Sequence, residues 1–197
     1  MRIRSVSPFD RRQIMTLALG GTAILAGCSP VSVVQRAIED RSVEDIAEDN
    51  RIVVQVNRLM AKYETISVST EIYEQRLLVY GIMEDATSFQ GFEAETRNIA
   101  GVRNLYFHVQ NLTPAQQAAR DDEIIGFAQG LRIKAGIEAA WLDAPGVESL
   151  NFRVGVDPFA TAYVLGRAAT AAEQDRAVAV VRNTERVRRV VNYSVVG

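Results

Sequence analysis

Two apolar runs that end in glycine decide the fold: Leu77-Leu78-Val79-Tyr80-Gly81 and, 85 residues later, Ala162-Tyr163-Val164-Leu165-Gly166. Short apolar runs bounded by turn residues predict buried strands. Glycine inside a strand weakens it, and it is tolerated where a helix or another backbone approaches closely. We therefore expect structural roles for Gly81 and Gly166.

The similarity continues on both sides of these runs and predicts two copies of one unit. At the same offset, Val102-Arg103-Asn104-Leu105-Tyr106 matches Val187-Arg188-Arg189-Val190-Val191. Upstream, alternating positions match at an offset of 84: Ile66, Val68, Thr70 and Ile72 with Leu150, Phe152, Val154 and Val156. Helical positions match at an offset of 72: Ile52, Val53, Val56 and Leu59 with Ile124, Ile125, Ala128 and Leu131. The smaller offset predicts twelve extra residues between helix and strand in the second copy.

Each copy reads helix, strand, strand, helix, strand. In the first, the pattern predicts an amphipathic helix over 52–60 with Asp49 and Asn50 at its N-cap, a hairpin of 65–73 and 76–83 turning at Glu74-Gln75, a helix over 89–99 ended by Gly101, and a strand over 102–110. In the second, it predicts helices near 121–141 and 170–185 and strands near 148–156, 160–167 and 187–196. Because strand–helix–strand crossovers are right-handed, the last strand should run parallel to a hairpin strand, with both helices on one face. The expected fold is α+β, with two αββαβ domains that each hold a three-stranded mixed sheet.

The first 28 residues have the pattern of an export signal. Basic residues precede an apolar run over 14–25, which is too short to cross a bilayer. Leu25-Ala26-Gly27-Cys28 then looks like a bacterial lipobox, which predicts cleavage before Cys28 and acylation of its thiol. Two or more acyl chains anchor a protein stably. A buried thiol in a helix is the alternative for Cys28.

Composition excludes several function classes. The chain has 197 residues, 48% of them hydrophobic, and a net charge of −2. One Cys and one His predict no disulfide framework, no metal site and no cofactor. Near-neutral charge and scattered aromatic residues argue against nucleic-acid binding. His108 stands alone in a predicted strand, and no nucleophile elbow, phosphate loop or HExxH motif occurs, so we predict no catalytic residue and no enzyme.

The element order, the strand glycines and the Val-Arg start of the last strand resemble the BON domain. Two such modules behind a lipobox resemble outer-membrane lipoproteins of the DolP type. The resemblance covers the chain from about residue 45 and implies the following division: signal peptide 1–27, lipidated tether 28–44, first BON-like domain 45–111, linker 112–120 and second BON-like domain 121–197. It also implies a protein without enzymatic activity that binds phospholipid or envelope partners and supports envelope integrity. Ser29 after the cysteine resembles the sorting pattern for the outer membrane.

In proteins of this type, the first helix of the second unit contacts lipid. The resemblance therefore predicts membrane-binding residues here: Ile124, Ile125, Phe127, Arg132, Lys134 and Trp141. Apolar side chains beside cations, with a tryptophan, suit an interfacial helix. A second basic group lies near the carboxyl end: Arg182, Arg186, Arg188 and Arg189. The alternative is that most of the apolar residues belong to the core and that the basic group is a solvated face.

Two functional hypotheses follow. In the first, the lipid-anchored protein faces the periplasm and its second domain docks on anionic phospholipid. In the second, it is a periplasmic adaptor that recruits a protein or a peptidoglycan-associated partner.

Overall fold

The computed structural model describes residues 41–197, and the predicted signal, Cys28 and most of the tether lie outside the described residues. Unit one contains α1 (Val43–Lys62), β1 (Val68–Tyr73), β2 (Arg76–Met83), α2 (Ala86–Thr96) and β3 (Asn104–Asn111). A short helix, α3 (Pro114–Ala118), lies in the linker. Unit two contains α4 (Phe127–Asp143), a 3-10 turn (Ser149–Asn151), β4 (Phe152–Val156), β5 (Thr161–Ala168), α5 (Ala171–Asn183), β6 (Arg189–Asn192) and β7 (Val195–Val196).

Each unit holds one mixed sheet. Unit one has the order β1-β2-β3, with β1 antiparallel and β3 parallel to β2. Unit two repeats it as β4-β5-β6, and β7 continues the pairing with β5 after Tyr193 and Ser194. The predicted α+β class with two αββαβ units is confirmed, because helix–strand order and crossover handedness leave few other arrangements.

The predicted N-cap of the first helix is wrong. Ser42 caps α1, and its side chain accepts a hydrogen bond from the Asp45 N–H. Asp49 lies inside the helix and is buried, and its carboxylate accepts hydrogen bonds from the N–H groups of Glu74 (3.0 Å) and Gln75 (2.7 Å). Glu74 and Gln75 both have positive φ, as a tight hairpin turn requires. Burial raises the pKa of Asp49, against the opposing hydrogen bonds and the charge of Arg41.

The predicted start of the second unit's first helix is also wrong. Gly126 precedes α4, and residues 119–123 form turns. The buried α4 residues Ile137 and Trp141 match Ile52 and Val56 of α1 at an offset of 85, so the offset of 72 and its twelve-residue insertion do not exist. Glycine is a poor helix former, and the three glycines of this segment interrupt the apolar spacing that would have marked the start of the helix.

Three apolar clusters hold the molecule together. In each unit, one cluster lies between the sheet and the helices of that unit. The largest members of these two clusters include Ile52, Phe92, Ile137 and Trp141. The third lies between the two sheets, whose uncovered faces pack against each other. Its buried members are Tyr73, Leu78, Tyr80, Tyr163 and Leu165.

Polar contacts surround the third cluster. Arg167 donates to both carboxylate oxygens of Glu74, at 2.8 and 2.6 Å. Arg76 donates to the carbonyl oxygen of Gly166 at 3.0 Å. His108 Nε2 lies 2.8 Å from the Tyr193 hydroxyl, and its ring stacks on Tyr163 with 4.4 Å between centroids. His108 therefore joins the two units.

The two strand glycines permit a close backbone approach. Gly81 and Gly166 both have φ +143°, and an added Cβ would lie 2.1 Å from the Ser67 carbonyl oxygen or 2.3 Å from that of Asn151. The same strained geometry recurs in both units, so each hairpin depends on its glycine.

We expect Gly81→Ala to lower the free energy of unfolding by roughly 3 kcal/mol or more, through strained backbone and a clash with carbonyl oxygen. The control is Gly136→Ala on the exposed side of α4, where a Cβ meets open space. This change should raise stability by about 0.5–1 kcal/mol. Urea unfolding measures both, and equal stability of the two variants would contradict the assignment.

We also expect stability to depend on His108 as the pH falls below the ordinary histidine pKa of about 6.5. Burial lowers the pKa of His108, although the charge of Asp157 opposes this and Arg189 reinforces it. A lowered folded-state pKa contributes stability above the ordinary value of about 6.5, and this contribution is lost as the pH falls through the folded-state pKa. His108→Gln should flatten this part of the curve of unfolding free energy against pH. Identical slopes for the two proteins would exclude the effect.

Candidate functional site

A groove of about 230 Å³ lies where the two units meet beside the start of α4. Unit one contributes the start of β1 and the end of β2, and unit two contributes α4 and the turn between β4 and β5. Its lining includes Ser67, Tyr80, Ile82, Ile124, Ile125, Phe127, Leu131, Lys134 and Pro158. The groove is mostly apolar and is open to solvent.

The first residues of α4 place large apolar side chains on the surface. Phe127 is 69% exposed and Leu131 is 50% exposed. They are four residues apart, so they lie on one face of the helix. Ile125 fixes the entry into the helix, because its N–H donates to the Pro158 carbonyl oxygen at 2.7 Å and its side chain packs against the core of unit two. Ile124 lines the groove and is half-buried.

Unit one also exposes an apolar side chain at a position where the alternating pattern predicts a strand. Ile66 is 92% exposed, because β1 begins only at Val68. Ile66 lines a neighbouring hollow of unit one with Tyr63 and Met83, and it is not part of the lining of the groove beside α4. Alternation had placed Ile66 in the sheet, and no sequence signal marks where the pairing begins. Phe127 and Leu131, which are exposed and line the groove, are called the apolar rim.

Lys134 does not present a spare charge to a ligand. Its Nζ donates to Glu71 Oε1 of unit one, and Glu138 Oε1 lies 3.7 Å from it. Burial alone would lower the pKa of Lys134, but the charge and hydrogen bond of Glu71 outweigh it and raise the pKa. The structure therefore places Lys134 in an ion pair between the units, whereas Arg132 is exposed on α4.

The expectation that Trp141 meets a membrane is wrong. Trp141 is 1% exposed, and its indole N–H donates to the Ala177 carbonyl oxygen at 2.9 Å. It also packs on Phe152 with 5.6 Å between ring centroids. Ile133, Ile137 and Trp141 follow the four-residue spacing of one helix face, and this is the face that packs on the sheet.

The basic group near the carboxyl end partly surrounds the loop before α4. Arg188 donates to the carbonyl oxygens of Glu123 (2.6 Å) and Asp122 (3.2 Å). Arg186 donates to Gln129 Oε1 at 3.2 Å. Arg182 and Arg189 are exposed as well. Cationic side chains therefore lie near the apolar rim, together with the acidic residues of the loop.

Within residues 41–197, no helix is both long enough and apolar enough to cross a membrane. The fold and the groove thus define a duplicated α+β protein with an exposed apolar rim at the junction of its units.

Residues 131–197 match the family model of the BON domain, so unit two carries a BON domain over that range. Taken with the resemblance above, the match supports an envelope-associated role in general terms. No curated protein matches the sequence.

Two solved structures from Chlamydia trachomatis are similar to this chain. CdsD, a structural protein of the type III secretion system, has 10% identity and a TM-score of 0.30, over 74% of this chain and 92% of its own. The C-terminal domain of CdsD has the same identity and TM-score, over 74% of this chain and 97% of its own.

Quenching of fluorescence distinguishes the buried from the exposed positions. We expect acrylamide to quench the native protein weakly, because the single tryptophan, Trp141, is buried. Phe127→Trp should add a strongly quenched component, since position 127 is exposed. Strong quenching of the native protein would contradict the placement of Trp141.

Proposed function

We propose that the protein is a lipid-anchored envelope protein without enzymatic activity, which docks on anionic phospholipid at the periplasmic face of the outer membrane through the apolar rim. The exposure of Phe127 and Leu131 on one face of α4 carries the proposal. Burying such side chains in the interfacial region of a bilayer removes apolar area from water at about 25 cal/mol per Å².

The charges near the rim favour an anionic surface. Arg132, Arg186 and Arg188 are exposed around the start of α4. Each cationic side chain close to an anionic leaflet contributes about 1 kcal/mol. Asp121 and Asp122 in the loop before α4 oppose part of this attraction, so the apolar contact supplies the larger share.

We further propose that unit one is a second BON domain, which makes the protein a DolP-like lipoprotein with tandem modules. Its support is the shared strand order and the shared glycine geometry of the two units. In this proposal, the family match covers unit two alone because the sequence of unit one has diverged further.

The proposed anchor is Cys28, with acyl chains on its thiol and new amino terminus. Twelve residues separate Cys28 from Arg41, and fully extended they would span roughly 40 Å. A tether of that reach allows the apolar rim to meet the same bilayer that holds the acyl chains.

Vesicle binding tests the rim directly. The chain 29–197 lacks the acyl anchor and keeps every described residue, so it isolates contacts made by the folded body. We expect it to float with vesicles containing phosphatidylglycerol, and Phe127→Glu to weaken this binding about tenfold or more. A phenylalanine that is buried in the bilayer contributes about 1.5–3 kcal/mol of binding free energy, and its loss corresponds to a change of this size.

The matched control is Leu142→Glu. Leu142 is also 69% exposed and also lies on α4, but at the opposite end from the rim. Its substitution should leave vesicle binding unchanged. Equal effects of the two substitutions, or no binding by the unsubstituted chain, would contradict lipid docking. Capture of one dominant protein by crosslinking in cells would then favour the adaptor hypothesis.

Mass spectrometry tests the anchor separately. We expect the protein purified from membranes to begin at Cys28 and to carry the added mass of a diacylglyceryl group and an amide-linked acyl chain. Cys28→Ala should abolish the modification and release the protein from the membrane anchor. An unmodified thiol in an uncleaved native chain would exclude acylation.

A further inference from the structure

β3 forms an exposed edge of the first sheet without the usual protective features. Among residues 41–197, only β2 pairs with it. Its eight residues, Asn104-Leu105-Tyr106-Phe107-His108-Val109-Gln110-Asn111, contain no charged residue, proline or glycine. Edge strands normally carry charges, prolines or bulges that prevent pairing with another chain. The equivalent edge of unit two is protected, because Arg189 begins β6 and the strand breaks at Tyr193 and Ser194.

The backbone of β3 directs alternate residues toward this edge. The N–H of Asn104 points to the carbonyl oxygen of Gln75, and the N–H of Leu112 donates to the carbonyl oxygen of Met83. Even-numbered residues therefore face β2 in the parallel ladder. It follows that Leu105, Phe107 and Val109 direct their N–H and C=O groups outward.

One antiparallel register satisfies these outward groups with a second copy of the same strand. When Phe107 lies opposite Phe107 of the second copy, Leu105 lies opposite Val109, and all three outward residues fall at hydrogen-bonded positions. Such a register supplies six backbone hydrogen bonds. Side chains opposite each other in an antiparallel pair lie on the same face, so the apolar face of one strand continues into that of the other.

We propose that two copies of the chain associate through β3, with a two-fold axis at Phe107, into one continuous six-stranded sheet. A self-complementary patch of this kind is what a two-fold dimer requires. No like charges oppose each other along the strand. Arg97 lies over the Phe107 ring, but its guanidinium is paired with Glu93 at 2.6 Å.

The helix layer leaves room for this dimer. α2 contacts both β2 and β3. The axis of a helix that packs over the gap between two strands is displaced by about 2 Å from the edge strand toward the middle of the sheet, because strands are about 4.8 Å apart. The two copies of α2 would then be separated by about 10 Å, near the upper end of the range for packed helices. The proposal is independent of lipid docking, since the groove borders β1 on the opposite edge of the sheet.

Sedimentation equilibrium of the chain 29–197 at tens of micromolar tests the proposal. We expect the mass of a dimer. In the proposed register, the exposed residues Asn104 and Gln110 lie opposite each other across the axis. N104K/Q110K places like charges together and should give the monomer mass, whereas N104K/Q110E places opposite charges together and should keep the dimer. A monomeric unsubstituted chain, or equal masses for the two double variants, would overturn it.

Crosslinking tests the register. Asn104 and Gln110 are about 20 Å apart within one strand, so they cannot join in one chain. Under mild oxidation, N104C/Q110C should form a covalent dimer, whereas N104C alone should not. Covalent dimers from N104C alone would overturn the antiparallel register about Phe107. Circular dichroism checks that each variant is folded.

Discussion

The contact between the two sheets is the interaction on which the rest of the molecule depends. Each unit covers one face of its sheet with its own helices and leaves the other face apolar. Tyr80 and Leu78 of β2 meet Tyr163 and Leu165 of β5 in the shared cluster. A unit of this size buries a smaller fraction of its surface by itself than a larger domain does, so the partner unit supplies the missing cover. The groove exists only because this contact brings β1 and β2 beside α4.

Several features could be predicted from the sequence because they depend on local physics. All eight residues of β2 are buried, and a continuous apolar run is typical of a strand covered on both faces. The hairpin at Glu74-Gln75 and the order of the strands follow from turn residues and from crossover handedness. What the sequence did not reveal was the partner of the second sheet face, since aromatic residues such as Tyr163 fit a solvent-covered face and a buried interface equally well.

The candidate site was harder to predict, because its residues depend on where each element begins. Phe127 is exposed at the first position of α4, directly after Gly126, and Trp141 is buried because its face of the same helix packs on the sheet. A rotation of the helix by half a turn, which corresponds to about two residues, reverses which side chains face water. Lys134 shows a second limit, since its partner Glu71 lies in the other unit. Only the relative placement of the units decides whether this cation is available.

The two proposed surfaces constrain each other geometrically. The apolar rim lies at the end of the first sheet where β2 finishes and β1 starts, near Ile82 and Ser67. A two-fold axis perpendicular to the sheet reverses strand direction, so the two rims of the proposed dimer would lie at opposite ends of the six-stranded sheet. A flat bilayer could then engage one rim of each dimer, while the second rim would be directed away from that contact. Dimerisation through β3 would thus limit how many rims one membrane surface can hold, without altering the rim itself.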